Sequence, residues 1–164
     1  VVGELLYVLV RATRAKRILE LGTATGYSAI FLARACRIFN GTVLTLENDR
    51  AMAARALENI KRAGLENNVE VRVGDALTEM TRIKEKFDFI FIDIEKKDYI
   101  RALPHIERLL KKGGLLVADN VGFKDADTFN RGISENPRWR PVSLFAFLPM
   151  HSPEHDGLCI ALRQ

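Results

Sequence analysis

The stretch RILELGTATGYSAIFLARACRIFNGTVLTLE, residues 17–47, determines the fold class. It opens with a short apolar run over 17–22 that stops at a glycine. Apolar residues at helical spacing follow over 27–36, and a run rich in β-branched residues closes it over 42–47. A strand, a helix and a second strand in this order are typical of a βαβ unit. The stretch therefore predicts an α/β fold built on a parallel sheet.

The rest of the chain repeats this alternation. Further helices are predicted over 50–64, 98–114 and 125–137, and further strands over 68–75, 87–93, 115–119, 141–149 and 157–164. Strands with nearly continuous apolar runs are buried on both faces, so we expect a mostly parallel seven-stranded sheet with helices on both faces. The last two strands have no helix between them, so one of them is expected to run antiparallel at or near the edge.

Composition and charge set broad limits on function. The 164 residues fit one domain, over 1–164, and the 48% apolar and 28% charged residues suit a folded core. A net charge of +4 permits RNA or anionic substrates without selecting either. No apolar run is long enough to cross a membrane. Cys36 and Cys159 have no partner motif, which indicates buried thiols in a reducing compartment and hence a cytoplasmic protein.

Ligands of an open α/β sheet bind outside the carboxyl ends of its strands. The candidate residues at these ends are the loop ELGTATGYS (20–28), Glu47, Asp75 with Ala76, Asp93 with Lys96, and Asp119 with Asn120. Five strand ends thus carry an acidic side chain, and we expect them to share one edge of the sheet.

The first loop predicts a cofactor that contains adenosine. Gly22 and Gly26 bracket a tight turn before a helix, and Glu47 ends the next strand, where a carboxylate can bind both hydroxyls of a ribose. The spacing G-x-x-x-G differs from the dinucleotide fingerprint G-x-G-x-x-G. Glu20 would repel a pyrophosphate but not the ammonium or sulfonium of S-adenosylmethionine (SAM), so the loop favours SAM over NAD. A purely structural turn is the alternative.

Asp75 and Ala76 are candidates for contact with the adenine ring. The carboxylate of Asp75 can accept a hydrogen bond from the adenine amino group, and the small Ala76 leaves room for the ring.

The acids after the fourth and fifth strands predict a metal site. Asp93, Asp119 and Asn120 offer three oxygen ligands, which suit Mg²⁺, Ca²⁺ or Mn²⁺ rather than zinc and leave positions open for substrate. Lys96 follows Asp93 by three residues, so one turn can return its amine to the site as a base. The alternative is that each Asp caps a helix and that EKKD (95–98) is a solvated face.

Six segments together resemble a known family. They are AKRILELGTATGYSA (15–29), TLE (45–47), GDAL (74–77), FDFIFIDIEKKDY (87–99), GGLLVADNV (113–121) and DGLCIAL (156–162). In this combination the sequence resembles, from about residue 3 to 164, the divalent-metal-dependent, SAM-dependent O-methyltransferases of the catechol and caffeoyl-CoA type. The family pattern D-x-x-K-x-x-Y is met by Asp93, Lys96 and Tyr99.

The resemblance implies a Rossmann-like class I SAM-methyltransferase fold and a homodimer. It implies that Asp93, Asp119 and Asn120 bind the metal, that Lys96 assists deprotonation, and that a methyl group passes from SAM to a hydroxyl of a small catechol-like diol. Ser28 would hold the SAM carboxylate. The full set of expected cofactor-binding residues is Glu20, Gly22, Thr23, Gly26, Tyr27, Ser28, Glu47, Asp75, Ala76 and Asp93.

Because the sequence departs from the family pattern in several segments, the identity of the methyl acceptor is not determined. Family members carry additional N-terminal helices, and this chain begins inside the last of them, over 3–12, so we expect either a shortened chain or a more open acceptor site. The segment 121–130 is shorter than the family loop, and 147–157 is extended. Within the extension, His151 and His155 are expected in a solvated loop, with acceptor contact as the alternative.

Trp139 is the only tryptophan in the sequence. Packing against a helix is expected for Trp139, with acceptor stacking as the alternative.

Methylation of hydroxylated uridine in tRNA is the close rival of methyl transfer to a small diol, although no basic stripe interleaved with aromatic residues is present. A non-catalytic module that binds SAM or a nucleotide is a second rival, and the glycine spacing disfavours a third, an NAD-dependent dehydrogenase.

Overall fold

The structure, a computed structural model, describes residues 2–147 and 155–164. The strands are β1 Arg17–Leu21, β2 Thr42–Glu47, β3 Val69–Val73, β4 Phe87–Ile92, β5 Leu110–Ala118, β6 Trp139–Phe147 and β7 His155–Arg163. The helices are α1 Val2–Thr13, α2 Tyr27–Cys36, α3 Arg50–Arg62, α4 Ala76–Arg82, α5 Tyr99–Leu109 and α6 Asp127–Glu135. Within the described residues, no helix is long and apolar enough to span a membrane.

All seven strands form one sheet in the order β3-β2-β1-β4-β5-β7-β6. The pairs from β3 to β5 are parallel, whereas β7 is antiparallel to both β5 and β6. The predicted mostly parallel seven-stranded sheet, with an antiparallel strand near the edge, is confirmed. Because β7 runs against its neighbours, its first residues lie at the same edge as the carboxyl ends of the parallel strands.

Helices cover both faces of the sheet, as predicted. Alternate residues of β4 point to opposite faces: Phe89 and Phe91 pack with α1, α2 and α3, while Ile90 and Ile92 pack with α4, α5 and α6. Trp139 is 4% exposed and packs in the second of these layers, which confirms its predicted packing role. Cys36 and Cys159 are buried free thiols, as expected.

Two local predictions were wrong or incomplete. The helix predicted over 98–114 ends at Leu109, because Leu110 pairs with Phe87 and starts β5, and Gly113 then takes a left-handed φ of 76° inside that strand. The short helix α4 was not predicted. Its seven residues contain Thr78 and Thr81 and make only about two turns, which is too short for a clear apolar period. Asp75 caps the helix by accepting from the Thr78 N–H at 2.8 Å.

Candidate active site at the carboxyl edge of the sheet

A cleft of about 620 Å³ opens at the carboxyl edge of the sheet. Its lining includes six of the predicted site residues, namely Gly22, Glu47, Asp75, Ala76, Asp93 and Lys96. They come from four different strand ends, those of β1 to β4, as the topology requires. The other seven predicted site residues are not part of this lining. Glu20 and Thr23 are buried, Tyr27 is 54% exposed, and the remaining four are Gly26, Ser28, Asp119 and Asn120.

Gly22 allows the first loop to pass against the end of β4. Its φ is 97°, and a Cβ added there would lie 2.2 Å from the carbonyl oxygen of Asp93. The Gly22 N–H donates to Leu46 and the Asp93 N–H donates to Leu21, so the ends of three strands are tied together at this point. The glycine is therefore required both by its backbone conformation and by the space around it.

The substitution Gly22→Ala is expected to lower the free energy of unfolding by at least about 3 kcal/mol, because backbone atoms must move to admit the methyl group. Gly64→Ala is the matched control. Gly64 has a similar φ of 65° with nothing within 4 Å of an added Cβ, so it should lose only about 1 kcal/mol. Urea unfolding of both variants measures the difference. Equal losses would contradict the close approach at Gly22.

Glu47 closes the first loop from the neighbouring strand. Its Oε2 accepts from the Ala24 N–H at 2.7 Å and its Oε1 accepts from the Asp49 N–H at 2.8 Å. Each oxygen keeps a second lone pair. The carboxylate is therefore held in place at the cleft and still has capacity to accept from a ligand.

Glu20 is the most unusual group beside the cleft. It is fully buried, and its Oε2 accepts from the Thr45 hydroxyl at 2.5 Å, which in turn shares a 2.5 Å hydrogen bond with Thr23. Its Oε1 has no hydrogen-bond partner among residues 2–147 and 155–164. Burial raises the pKa of Glu20 to about 7. The Ser28 and Thr45 hydroxyls lower this pKa in part, and the charges of Asp93 and Glu47 raise it further. A buried anion of this kind favours a cationic ligand group.

Lys96 and Asp93 form an ion pair at the cleft. Lys96 lies in a 3₁₀ turn, Lys96–Asp98, and its Nζ donates to Asp93 Oδ1 at 2.6 Å and to the Ile94 carbonyl at 3.1 Å. The lysine side chain is 18% exposed, compared with 39% for Asp93. The i, i+3 spacing therefore does return the amine to the strand end.

Asp119 and Asn120 lie at the end of β5, beside β4. Asp119 Oδ1 accepts from the Asn120 N–H at 2.8 Å. Burial raises the pKa of Asp119 to about 6, and the charge of Asp93 is the next largest cause. Two carboxylates that repel each other in a half-buried setting match a divalent cation, whose charge would offset the repulsion.

The predicted cation ligands are two carboxylates, of Asp93 and Asp119, and one amide, of Asn120. Within the described ranges, no three acidic, histidine or cysteine side chains are grouped closely enough to hold an ion by themselves. A cation would thus need the amide oxygen of Asn120 as its third protein ligand. His151 lies outside the described residues, as does the side chain of His155, so the predicted histidine loop stays a prediction.

The chain matches the O-methyltransferase family profile over residues 2–140. It belongs to the O-methyltransferase family. This family member is 45% identical over 137 residues to the catechol O-methyltransferase of Niastella koreensis, an alignment that covers 81% of the chain and 61% of the relative. It is 34% identical over 125 residues to caffeoyl-CoA O-methyltransferase 2 of Populus trichocarpa, covering 73% and 50%. The resemblance inferred from the motifs is confirmed.

A solved structure agrees over nearly the whole chain. The O-methyltransferase of Bacillus cereus, in complex with SAH, superposes with a TM-score of 0.89 at 32% identity, covering 99% of this chain and 80% of the other. The class I methyltransferase fold is thereby confirmed. The chain spans only 50% to 61% of the length of the two curated relatives above.

For two residues of this O-methyltransferase family member, the sequence did not predict a role in the site. The first is Tyr99, whose phenol is fully buried and contacts the Phe129 ring edge-on. Its hydroxyl lies 3.0 Å from the carbonyl oxygen of Ile92 and 2.9 Å from that of Asp119, and donates to them. Burial raises its pKa, so the donor is kept. One phenol thus bridges the ends of β4 and β5, next to both predicted carboxylate ligands.

The second is Asp156, near the start of β7. It is 5% exposed and accepts from Asn120 Nδ2 at 2.5 Å. The sequence signal is the segment DGLCIAL, which carries part of the family resemblance but no pattern that assigns a role to its acid. Nothing in the spacing along the chain relates Asp156 to Asn120, since 36 residues separate them.

Proposed function

We propose that the chain transfers a methyl group from SAM to one hydroxyl of a catechol-like vicinal diol, with a divalent cation bound beside the acceptor. The observation that carries the proposal is the placement of Lys96, 2.6 Å from Asp93, in the wall of a cleft whose other walls suit an adenosine cofactor. Proton acceptor, oxygen ligands and cofactor pocket then meet at one edge of the sheet.

The cofactor part of the proposal rests on the first loop and its neighbours. SAM supplies an electrophilic methyl group on a sulfonium. Glu47 at the end of β2 would accept from the ribose hydroxyls, and Asp75 at the start of α4 would face the adenine. The buried carboxylate of Glu20 would offset the positive charge of the amino acid portion. The Bacillus cereus relative, solved with SAH, supports this assignment.

The cation part rests on the chemistry of the donor set. A bound Mg²⁺, Ca²⁺ or Mn²⁺ lowers the pKa of a hydroxyl that it contacts. Asp93, Asp119 and Asn120 would hold it through oxygen atoms. The pKa of Asp119 is raised first by burial and next by the charge of Asp93, and a cation would offset both effects. Two vicinal oxygens on the acceptor match the positions that three protein ligands leave open.

Lys96 is assigned the proton transfer. In the reaction the acceptor oxygen bonds to the methyl carbon, the carbon–sulfur bond breaks to leave a neutral thioether, and the hydroxyl proton goes to Lys96 Nζ. The neutral amine must therefore be present when the acceptor binds. Alignment of the oxygen with the methyl group provides the rest of the rate enhancement.

Methyl transfer from labelled SAM tests the proposal directly. With Mg²⁺, the chain is expected to label catechols but not the corresponding monophenols, because only a diol places two oxygens on the cation. Labelling should fall on addition of a chelator and return when Mg²⁺ is restored. Bulk tRNA serves as the competing acceptor. Labelling of tRNA alone, or catechol labelling that persists in the chelator, would contradict the proposal.

Assembly and compartment stay predictions. A homodimer and a cytoplasmic location follow from the family resemblance and the free thiols. One observation bears on assembly, since the edge strand β6 exposes Val142, Leu144 and Phe145 by half or more of their surface.

A further inference from the structure

The antiparallel strand β7 gives the site a group that no parallel strand could supply. Its register pairs Cys159 with Ala118, and the Val121 N–H donates to the Gly157 carbonyl at 2.9 Å. The first residues of β7 therefore lie beside the residues that follow β5. This brings the Asp156 side chain against Asn120.

Both carboxylate oxygens of Asp156 are already engaged. Oδ2 accepts from Asn120 Nδ2 at 2.5 Å, and Oδ1 accepts from the Gly157 N–H at 2.7 Å and the Gly122 N–H at 3.4 Å. The side chain is buried, and nitrogen donors reach it from β7 and from the residues that follow β5. Asp156 is therefore fixed by backbone donors and turns one oxygen towards Asn120, instead of acting as a cation ligand.

This contact determines which end of the Asn120 amide is free. An ionised carboxylate only accepts hydrogen bonds, so the amide must turn its NH₂ group towards Asp156. The carbonyl oxygen lies on the other side of the same Cγ atom. It accepts no hydrogen bond from the described residues, so it is available to a different partner. The backbone of Asn120 is also unusual, with a left-handed φ of 54°, which asparagine tolerates better than most residues.

We propose that Asp156 is a positioning residue, which fixes the Asn120 carboxamide so that its oxygen rather than its nitrogen is offered to the divalent cation. The inference rests on the cation site of the proposed function. Without the carboxylate, Asn120 can turn over and present an NH₂ group, which repels a cation. Partners that orient a metal ligand in this way commonly change metal affinity by 10-fold to 100-fold.

The substitution Asp156→Asn tests the inference directly. The two backbone N–H groups near Oδ1 should keep the oxygen of the new amide on their side, so its NH₂ group faces Asn120. Asn120 must then turn its own oxygen towards residue 156 and its NH₂ group towards the cation. We expect Mn²⁺ affinity, measured by electron paramagnetic resonance or calorimetry on the full chain, to fall about 10-fold to 100-fold.

Two companion variants separate positioning from charge and from folding. Asp125→Asn removes the same charge from an exposed position of the nearby 3₁₀ turn Lys124–Ala126 and should change affinity less than about threefold. The exchanged pair Asn120→Asp with Asp156→Asn restores a matched donor and acceptor and again offers an oxygen to the cation. That double variant should recover affinity to within about threefold of the unsubstituted chain or better.

The outcomes distinguish this inference from the proposed function. If the unsubstituted chain binds no Mn²⁺, both proposals are overturned. If it binds Mn²⁺ and Asp156→Asn binds equally well, this inference alone is overturned. A loss in Asp156→Asn that the exchanged pair fails to recover, while circular dichroism shows both variants folded, also overturns it. Loss followed by recovery supports it.

Discussion

Replacement of Lys96 by methionine is expected to slow methyl transfer to a catechol by about 10²-fold to 10⁴-fold, the usual contribution of a positioned acid or base. Methionine keeps the length of the side chain but cannot accept a proton. SAM affinity should change little, because the predicted contacts to the cofactor come from other residues. Mn²⁺ affinity should not fall, because Asp93 loses the ammonium that occupies its Oδ1 at 2.6 Å. Single-turnover rates with labelled SAM measure the effect.

Two further lysine variants decide what Lys96 contributes. Lys96→Arg keeps the positive charge and the pairing with Asp93, but a guanidinium stays protonated at any pH used in an assay. If Lys96 takes the proton, the arginine variant is as slow as the methionine variant. Lys97→Met changes the exposed neighbour and should keep the full rate. Full activity in Lys96→Arg, or an equal loss in Lys97→Met, would refute proton transfer to Lys96.

The sequence was sufficient for the part of the site that depends on local spacing. Asp93 and Lys96 are three residues apart, so their pairing needed only a turn after a buried strand. Convergence of the strand ends followed from parallel topology, which the alternation of strands and helices predicts. Gly22 could be predicted as a site residue. A turn between a strand and a helix at the ligand-binding edge of the sheet requires close approach of the backbone.

The features that the sequence did not predict depend on contacts between distant segments. Asp156 meets Asn120 only because β7 inserts antiparallel between β5 and β6, and a strand order of that kind leaves no local pattern. Tyr99 was part of a motif, but its bond to the Asp119 carbonyl depends on the packing of α5 beneath two strand ends. The early end of α5 was missed for the same reason, since pairing with Phe87 outweighs the helical preference of Leu110 and Lys111.

Glu20→Gln is expected to stabilise the chain without ligand at neutral pH and to weaken SAM binding. The pKa of Glu20 rises from its ordinary value of 4.5 to about 7 in the folded state, so the folded chain holds this proton more tightly than the unfolded chain. Stability from this group is therefore complete below pH 4.5 and is lost as the pH rises to 7. At about 1.4 kcal/mol per pKa unit, the loss amounts to about 3 kcal/mol.

Denaturation with urea across this pH range isolates the effect. The difference in free energy of unfolding between Glu20→Gln and the unsubstituted chain should be near zero at pH 4 and rise to about 3 kcal/mol in favour of glutamine at pH 8. Asp119, whose pKa is raised to about 6, titrates with the same sign in both proteins and cancels in the difference. Glu58→Gln, on the exposed face of α3, controls for the change in net charge.

SAM binding should oppose this difference in stability, because SAM favours the unsubstituted chain over Glu20→Gln. The cationic cofactor favours the ionised Glu20, so its affinity for the unsubstituted chain should increase as the pH rises through 7. Glu20→Gln should bind SAM at least about tenfold more weakly at pH 8, the usual loss for a hydrogen bond to a charged group. Calorimetric titration at pH 6 and pH 8 measures both trends. A variant that is less stable than the unsubstituted chain at pH 8, or that binds SAM equally well, would contradict a buried, ionisable Glu20 that faces the cofactor's positive charge.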